Sequence, residues 1–341
     1  MLRRTLATVG LVMAAVAVLL SGGPSAAQEK IPLEKITFAT DWKAQAEHGG
    51  FYQALATGLY RKHGLDVTIR MGGPGSDTQQ LLAAGAVDMA LGSNSFYPMN
   101  LVQAGAPVRA VMASFQKDPQ ILMTHPRDDI KSIADMKGKP ILISTTARST
   151  FWVWLKGKYG FTDDQIRSYT FNMAPWLLDK TAIQQGYLSS EPYQVKMEGG
   201  VEPQVYLLAD AGYPSYSALV LVSQKLIDQK PDVVQAFVDA TIEGWYSYLY
   251  GNPAPGNVLI RKDNPEMTDG TIAYGIARMK EYGIADSGDA VKLGIGAMTP
   301  ERWKTFFDTM VAEGVYPADL DHTKAYTLAF VNKAHAIGMR K

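Results

Sequence analysis

The stretch TDWKAQAEHGGFYQALATGLYRKHGLDV, residues 40–67, decides the predicted fold of this chain. It follows a β-prone run at residues 36–40, and a helical pattern begins within it. Three apolar residues share one face of that helix: Phe51, Leu55 and Leu59. Gly64 is expected to end the helix in a left-handed cap, and residues 65–70 form the next predicted strand. This strand–turn–helix–strand unit builds open parallel sheets, whose ligands bind beyond the carboxyl ends of the strands, here residues 41–48.

The same rhythm continues to residue 114 and restarts at residue 121. Further strands are predicted at residues 87–91, 108–114, 121–124, 141–144, 169–172, 205–209 and 218–223. Further helices are predicted at residues 76–84, 96–103, 132–136, 151–158, 181–186, 232–250, 269–282, 300–313 and 324–336. Ser76 with Gln79, and Thr162 with Gln165, are read as capping boxes. Two α/β units and a helical tail predict two lobes, with the ligand site in the cleft between them.

Composition excludes several classes of function. The 33 Lys and Arg residues balance 33 Asp and Glu residues, which argues against a nucleic-acid partner. The 341 residues include no Cys, so disulfides, thiolate catalysis and cysteine metal ligands are excluded. The five histidines are scattered without metal-ligand spacing: His48, His63, His125, His322 and His335. Neither a metal site nor a cofactor is predicted.

The N-terminus has the pattern of a secretory signal peptide. Arg3 and Arg4 give a basic start, residues 6–20 are almost wholly apolar, and cleavage is expected after Ala27. The apolar run is shorter than the ~20 residues of a spanning helix. The chain is therefore expected to be exported as a soluble periplasmic protein.

No catalytic motif of a known kind is present. The loop of residues 72–75 lacks the features of a Walker motif, and no nucleophile elbow occurs. The strand ends instead carry aromatic and uncharged polar side chains, and Trp42 stands in a polar context there. Aromatic faces suit a planar ligand, which favours a binding protein.

An anionic ligand is a second possibility. Ser93 and residues 144–146 precede helices, whose backbone N–H groups attract anions, and Arg148 adds charge. The same serines and threonines serve equally as ordinary helix caps. Glu191 favours the opposite, because a carboxylate repels an anion and accepts hydrogen bonds from amino groups.

The chain resembles ABC-transporter substrate-binding proteins. The branch is the one that includes nitrate, sulfonate and taurine binders and thiamine-pyrimidine-precursor binders. The resemblance is carried by residues 40–42 (TDW), 48–54 (HGGFYQA), 58–60 (GLY), 64–67 (GLDV), 85–90 (GAVDMA), 132–139 (SIADMKGK) and 184–193 (QQGYLSSEPY). It implies an α/β type II periplasmic binding fold, with two α/β lobes, a hinge of two crossovers and a helical C-terminal region. The implied division is a signal peptide at residues 1–27, lobe 1 at residues 28–118 and 216–341, and lobe 2 at residues 119–215.

The branch also resembles the eukaryotic thiamine pyrimidine synthase, an enzyme that consumes pyridoxal phosphate and one of its own histidines. This chain departs from it in lacking the cysteine-rich iron-binding segment and in having a secretion signal. Gly92 or Ser93 stands where that enzyme has its cofactor lysine. The resemblance therefore implies a binding protein that is not an enzyme.

The sequence thus predicts a monomeric substrate-binding component of an ABC importer, serving permease and ATPase subunits. Its expected ligand is a small planar nitrogen heterocycle related to thiamine pyrimidines. We expect stacking from Trp42 and Tyr193 and amino-group acceptance by Asp41 and Glu191. Polar contacts that close the lobes are expected from Ser93, Asn94, Thr145 and Thr146. The expected ligand-binding residues are Asp41, Trp42, His48, Tyr52, Ser93, Asn94, Thr145, Thr146, Glu191 and Tyr193.

Overall fold

The computed structural model describes residues 32–340, so the predicted signal peptide lies outside the described residues. The strands are β1 (Glu34–Ala39), β2 (Leu65–Arg70), β3 (Met89–Asn94), β4 (Val108–Phe115), β5 (Gln120–Thr124), β6 (Ile141–Ile143), β7 (Ile166–Ser168), β8 (Ile183–Tyr187), β9 (Gln204–Leu207) and β10 (Ser217–Ser223). The helices are α1 (Gly49–Ala56), α2 (Leu59–Lys62), α3 (Thr78–Ala83), α4 (Phe96–Gln103), α5 (Phe151–Tyr159), α6 (Ala174–Leu178), α7 (Glu191–Gly199), α8 (Gln224–Gln229), α9 (Pro231–Tyr250), α10 (Ala254–Asp263), α11 (Asp269–Glu281), α12 (Ala290–Leu293) and α13 (Pro300–Ala312). Short 3-10 turns lie at Ala46–His48, Ile133–Met136, Thr146–Ser149, Asp163–Gln165, His322–Ala325 and Ile337–Met339.

The strands form two five-stranded sheets. The first has the order β2-β1-β3-β10-β4 and the second the order β7-β6-β8-β5-β9. β1 pairs in parallel with β2 and β3, whereas β10 lies antiparallel between β3 and β4. The predicted α/β fold with two sheets, and the predicted return of the chain to the first sheet, are confirmed. The exact lobe boundaries stay a prediction.

The opening unit forms largely as the sequence predicts. β2 has the predicted bounds and pairs in parallel with β1 along its whole length. The single predicted helix is wrong, because Gly58 adopts a left-handed φ of 74° and divides it into α1 and α2. Gly64 then ends α2 with a φ of 82°.

Four other local predictions are wrong. Asp77, and not Ser76, caps α3 by accepting a hydrogen bond from the Gln80 backbone N–H. Residues 169–172 are a loop and not a strand. Residues 183–186 of the predicted helix belong to β8, a strand inside the second sheet, because pairing with β5 and β6 overrides the helical preference of the glutamines. Residues 324–336 are mostly irregular. Left-handed φ values there interrupt helical hydrogen bonding at Asn332, Ala334 and Ala336.

Helix α1 packs against α9 through glycines. A Cβ atom added to Gly50 would lie 2.2 Å from the Trp245 ring, and one added to Gly244 would lie 2.3 Å from the Gly50 carbonyl oxygen. Contacts this short do not occur, so only glycine allows the helices to approach so closely. The seam fixes the N-terminal end of α1 and the turn Ala46–His48 that precedes it.

The chain passes between the sheets twice, and the two passages run side by side. Phe115, at the end of β4, is paired with Ser217, at the start of β10, and Ile121 is paired with Leu207 in the second sheet. Both passages are therefore held between two pairs of neighbouring antiparallel strands. No helix within residues 32–340 is long and apolar enough to cross a membrane.

Arg302 of α13 binds both passages. Its guanidinium donates to the Gln116 carbonyl of the first passage and, at 3.1 Å, to the Ser215 carbonyl of the second. It also lies over the Tyr216 ring, 4.1 Å from the centroid. Burial lowers the pKa of this guanidinium, although the nearby Tyr216 and Asp289 oppose that effect.

We expect Arg302→Lys to lower the free energy of unfolding by about 2 kcal/mol. A lysine lacks the planar guanidinium that donates to carbonyl groups of both passages at once. Urea unfolding measures the change. The control is Arg61→Lys, whose guanidinium lies on the surface 3.3 Å from Asp66 and should contribute little. Equal effects of the two substitutions would contradict the assignment.

Candidate functional site

A cavity of about 480 Å³ lies between the two sheets. Its first wall comes from the turn after β1, the end of β3 and the loop before α3. Its second wall comes from the segment before α5, the end of β8 and the start of α7. The volume falls within the range of small-molecule sites, which are about 300–1,000 Å³.

Asp41 is oriented by two neighbours in this cavity. One carboxylate oxygen accepts a hydrogen bond from the Ser93 hydroxyl, and the other lies 3.3 Å from His48 Nε2. The Asp41 side chain keeps 15 % of its surface exposed, whereas His48 is buried. Asp41 is therefore a fixed acceptor that still faces the cavity.

Trp42 follows Asp41 at the cavity mouth. Thr40 holds its backbone by donating from Oγ1 to the Trp42 carbonyl at 2.9 Å. The indole is half-buried, and its ring centroid lies 4.7 Å from that of Phe171, at an interplanar angle of 49°. This contact joins residues from opposite walls.

Glu191 is the first residue of α7 and lines the second wall. Its carboxylate accepts from the Tyr187 backbone N–H at 2.7 Å and from the Tyr169 hydroxyl at 3.1 Å. Burial raises its pKa, although these hydrogen bonds oppose the shift. The carboxylate is thus anchored by two donors and has lone pairs left for a ligand.

Most of the predicted site residues lie together. Seven of them line the cavity: Asp41, Trp42, His48, Ser93, Asn94, Thr146 and Glu191. Their contacts with a ligand stay predictions.

The other three predicted residues are not among the described residues that line the cavity. Tyr52 is buried in the first lobe's core and donates its hydroxyl to Asp263 at 2.9 Å. Thr145 points to solvent. Tyr193 packs on Tyr274 of α11, with ring centroids 5.1 Å apart. The sequence pattern did not specify the direction of these side chains, and Tyr52, predicted near a strand end, lies in the middle of α1.

The structure adds residues that the sequence reasoning missed. Gln185 lines the cavity, and its side-chain oxygen accepts the Ser144 backbone N–H at 2.6 Å. Phe171 and Asp118 also line it. Asp118 belongs to the predicted first crossover, and a carboxylate at that position could have indicated a residue of the site. Phe171 fell in a segment predicted as a strand, and nothing in the sequence indicated its direction.

Asp118 is a buried carboxylate beside the first passage between the sheets. It accepts the Gln120 backbone N–H at 3.0 Å. Burial, together with the charge of Asp41, raises its pKa to about 7, while the Gln120 hydrogen bond opposes the shift.

Glu47 connects the two walls. Its buried carboxylate, on the turn Ala46–His48, accepts a hydrogen bond from the Ser189 hydroxyl, just after β8. Burial raises the pKa of Glu47, although the Ser189 bond opposes it. Tyr187 makes a second connection, since its hydroxyl lies 3.2 Å from Ser217 Oγ on β10.

The cavity is acidic. Five carboxylates line it: Asp41, Glu47, Asp77, Asp118 and Glu191. Among the lining residues of the described chain there is no Lys or Arg, and Arg148 is an exposed residue outside the wall. Like charges destabilise a bound anion, so these walls favour a neutral or cationic ligand.

The site does not fit the synthase cofactor. Within residues 32–340, no group of three or more His, Cys, Asp or Glu side chains is placed to hold a metal ion. The two candidate positions of the cofactor lysine hold Gly92 and Ser93, neither of which has the amine that would form a Schiff base with pyridoxal phosphate.

Two β-sheets with flanking helices, joined by two neighbouring chain passages and separated by a cavity, define the periplasmic binding fold. Among solved structures, the periplasmic aliphatic sulphonate binding protein SsuA from Escherichia coli aligns with a TM-score of 0.66 at 14% identity, over 86% of this chain and 92% of that chain. The sequence matches the family described as NMT1/THI5 like over residues 45–255. The chain belongs to this family, so the predicted fold class and family are both confirmed.

Curated relatives agree with a binding role. The riboflavin-binding protein RibY of Chloroflexus aurantiacus is 25% identical over 306 residues, covering 88% of this chain and 86% of the relative. The formylaminopyrimidine-binding protein of Halalkalibacterium halodurans is 26% identical over 239 residues, covering 67% and 70%. Both are named for the small molecule that they bind. These relatives confirm the prediction of a substrate-binding protein.

We expect Asp118→Asn to flatten the pH dependence of stability. A carboxyl whose pKa rises from 3.8 to about 7 on folding penalises the folded state increasingly between those pH values. The full penalty corresponds to about 4 kcal/mol at pH 8 as an upper bound. The variant should therefore gain stability over the wild type at pH 8 and equal it near pH 4, as measured by urea unfolding.

The control for this experiment is Asp128→Asn, which alters a fully exposed carboxylate. It should leave the difference between pH 4 and pH 8 unchanged. An Asp118→Asn curve parallel to that of the wild type would show that Asp118 ionises normally.

Proposed function

We propose that this protein captures a small, planar nitrogen heterocycle for an ABC importer and has no catalytic activity. The observation that carries the proposal is the cavity itself, whose described lining residues include the Trp42 ring and five carboxylates but no Lys or Arg. The ligand class includes amino-substituted pyrimidines related to thiamine precursors.

The carboxylates supply hydrogen-bond acceptors on both walls. Asp41 is fixed by Ser93 and His48, and Glu191 by Tyr187 and Tyr169. Amino and ring N–H groups of a heterocycle donate to such acceptors. Acceptors that are oriented before the ligand binds do not have to be ordered by it, which favours affinity.

An alkanesulfonate, nitrate or aromatic carboxylate is supported less well. Of the residues expected to bind an anion, Ser93, Ser144 and Thr146 line the cavity, but Arg148 is exposed and outside it. Without Arg148, an anion would face five carboxyl groups and neither Lys nor Arg among the lining residues of the described chain. Each of these groups that is ionised repels an anion, which disfavours its binding.

The proposal includes the cellular setting. The predicted signal peptide directs the chain to the periplasm, where a binding protein delivers its ligand to a permease and an ATPase. The proposed lobes, residues 28–118 with 216–341 and residues 119–215, close on the ligand about the paired crossovers. We propose that the protein acts as a monomer.

A thermal-shift panel tests the ligand class. We expect riboflavin or formylaminopyrimidine to raise the melting temperature, because a ligand that binds only the folded state stabilises it by about 2.7 kcal/mol at a hundredfold excess over Kd. An alkanesulfonate, nitrate and benzoate should leave the melting temperature unchanged. A shift with these anions and none with the heterocycles would overturn the proposal.

Calorimetry of two aromatic variants tests the location of the site. We expect Trp42→Ala to weaken binding of the active heterocycle about tenfold, because the variant loses the apolar area that the indole buries as well as the roughly 0.5–1.5 kcal/mol that an aromatic pair adds to it. The matched control is Tyr193→Ala, which removes an aromatic ring that packs on Tyr274 outside the cavity and should leave affinity unchanged. The reverse result would place the ligand elsewhere.

Mass spectrometry tests the absence of catalysis. The protein is incubated with pyridoxal phosphate and iron(II), and His48 is then checked for a loss of mass. We expect His48 to stay intact, since neither Gly92 nor Ser93 supplies the amine that would hold the cofactor. A modified His48 with released pyrimidine would establish an enzyme instead.

A further inference from the structure

Phe171 combines two unfavourable features. It lies in the loop between β7 and α6, where its backbone takes a left-handed φ of 63°. Its large apolar ring is also 41 % exposed at the cavity mouth. A bulky residue rarely adopts this backbone conformation, and such strain is concentrated at ligand sites and switch regions.

The loop is anchored on both sides of Phe171. The Tyr169 backbone N–H donates to the Ile143 carbonyl at 3.2 Å, and the Asn172 side chain accepts the Ala174 N–H at 2.9 Å. The ring of Trp176, further along α6, is buried and stacks on His125 with centroids 3.7 Å apart. The anchors fix the backbone around Phe171, and its ring projects from this fixed loop into the cavity mouth.

The Phe171 ring forms part of an aromatic row across the cavity. It lies 4.7 Å from Trp42 on the opposite wall and 5.0 Å from Tyr169 on its own wall. Tyr169 in turn donates to Glu191. Ring centroids in direct contact are about 4.5–7 Å apart, so no further ring fits between Trp42 and Phe171 in this conformation.

We infer that Phe171 is a gate that covers Trp42, moves away when a planar ligand enters, and then packs on the outer face of that ligand. This inference rests on the proposed function, because it assigns the second aromatic face of the same site. It also makes Phe171 a specificity-determining residue: ligands with an extended aromatic face gain from the second ring, and non-planar ligands do not.

Tryptophan fluorescence tests the cover without any ligand. Of the six tryptophans, the five other than Trp42 are at most 2 % exposed, so acrylamide quenching reports on Trp42. We expect Phe171→Ala to increase the quenching constant about twofold or more. The control is Leu178→Ala, which truncates a residue that is 83 % exposed on α6 and should leave quenching unchanged.

Binding kinetics test the gate. With riboflavin and formylaminopyrimidine as probes, stopped-flow fluorescence should show that Phe171→Ala speeds dissociation about two- to tenfold, the factor that one aromatic contact supplies. Phe171→Tyr keeps the ring and should restore both slow dissociation and weak quenching. It also serves as the folded comparison if the alanine variant is unstable.

The outcomes distinguish this inference from the proposed function. If neither heterocycle binds the wild type, the proposed function and the gate on a ligand both fail, whereas the quenching experiment still decides whether Phe171 covers Trp42. If a heterocycle binds and Phe171→Ala changes neither dissociation nor quenching, the gate alone is overturned. Increased quenching with unchanged dissociation would also overturn it, since Phe171 would then cover Trp42 without contacting the ligand.

Discussion

The arrangement of the two sheets depends on Arg302, because one guanidinium binds carbonyl groups of both passages between them. Strand pairing sets the passages side by side, and the guanidinium joins them one or two residues beyond the paired Phe115 and Ser217. The cavity lies between the sheets that these passages connect, and Asp118 belongs to the first passage. The fold and the site therefore share one set of contacts.

The carboxyl groups of the cavity lie close enough together to affect one another's ionisation. Burial raises the pKa of Glu47, Asp118 and Glu191, so these groups resist being charged together. Each is held by hydrogen-bond donors from the protein, which limits the cost of burial. A ligand rich in N–H groups adds further donors, whereas an anion adds to the repulsion. In the proposed function, the electrostatics of the walls thus contribute to ligand selection.

The sequence predicted the parts of the structure that depend on local pattern. β2 and α4 have the predicted bounds, and the turn after β1 brought Asp41 and Trp42 to the cavity. These predictions succeeded because strand–helix alternation and strand ends are readable from apolar periodicity.

The remaining errors arise where distant contacts decide the outcome. Tyr52 turns away from the cavity because Asp263 of α10 accepts its hydroxyl, and no local pattern indicates that partner. β8 is a strand because β5 and β6 flank it. The left-handed backbone of Phe171 has no signal in a phenylalanine side chain. Side-chain direction, more than the position of an element, was therefore the limit of prediction.

The glycine seam between α1 and α9 has a consequence for the thermodynamics of ligand capture. It lies behind the turn that carries Glu47 and His48, and it leaves no freedom for α1 to shift against the helix behind it. The first wall is thus assembled before a ligand arrives. The conformational entropy of this wall is lost during folding, so ordering it does not reduce the binding affinity. Under the proposed function, the remaining entropy lost on binding comes from closure of the lobes, from the Phe171 side chain and from the ligand itself.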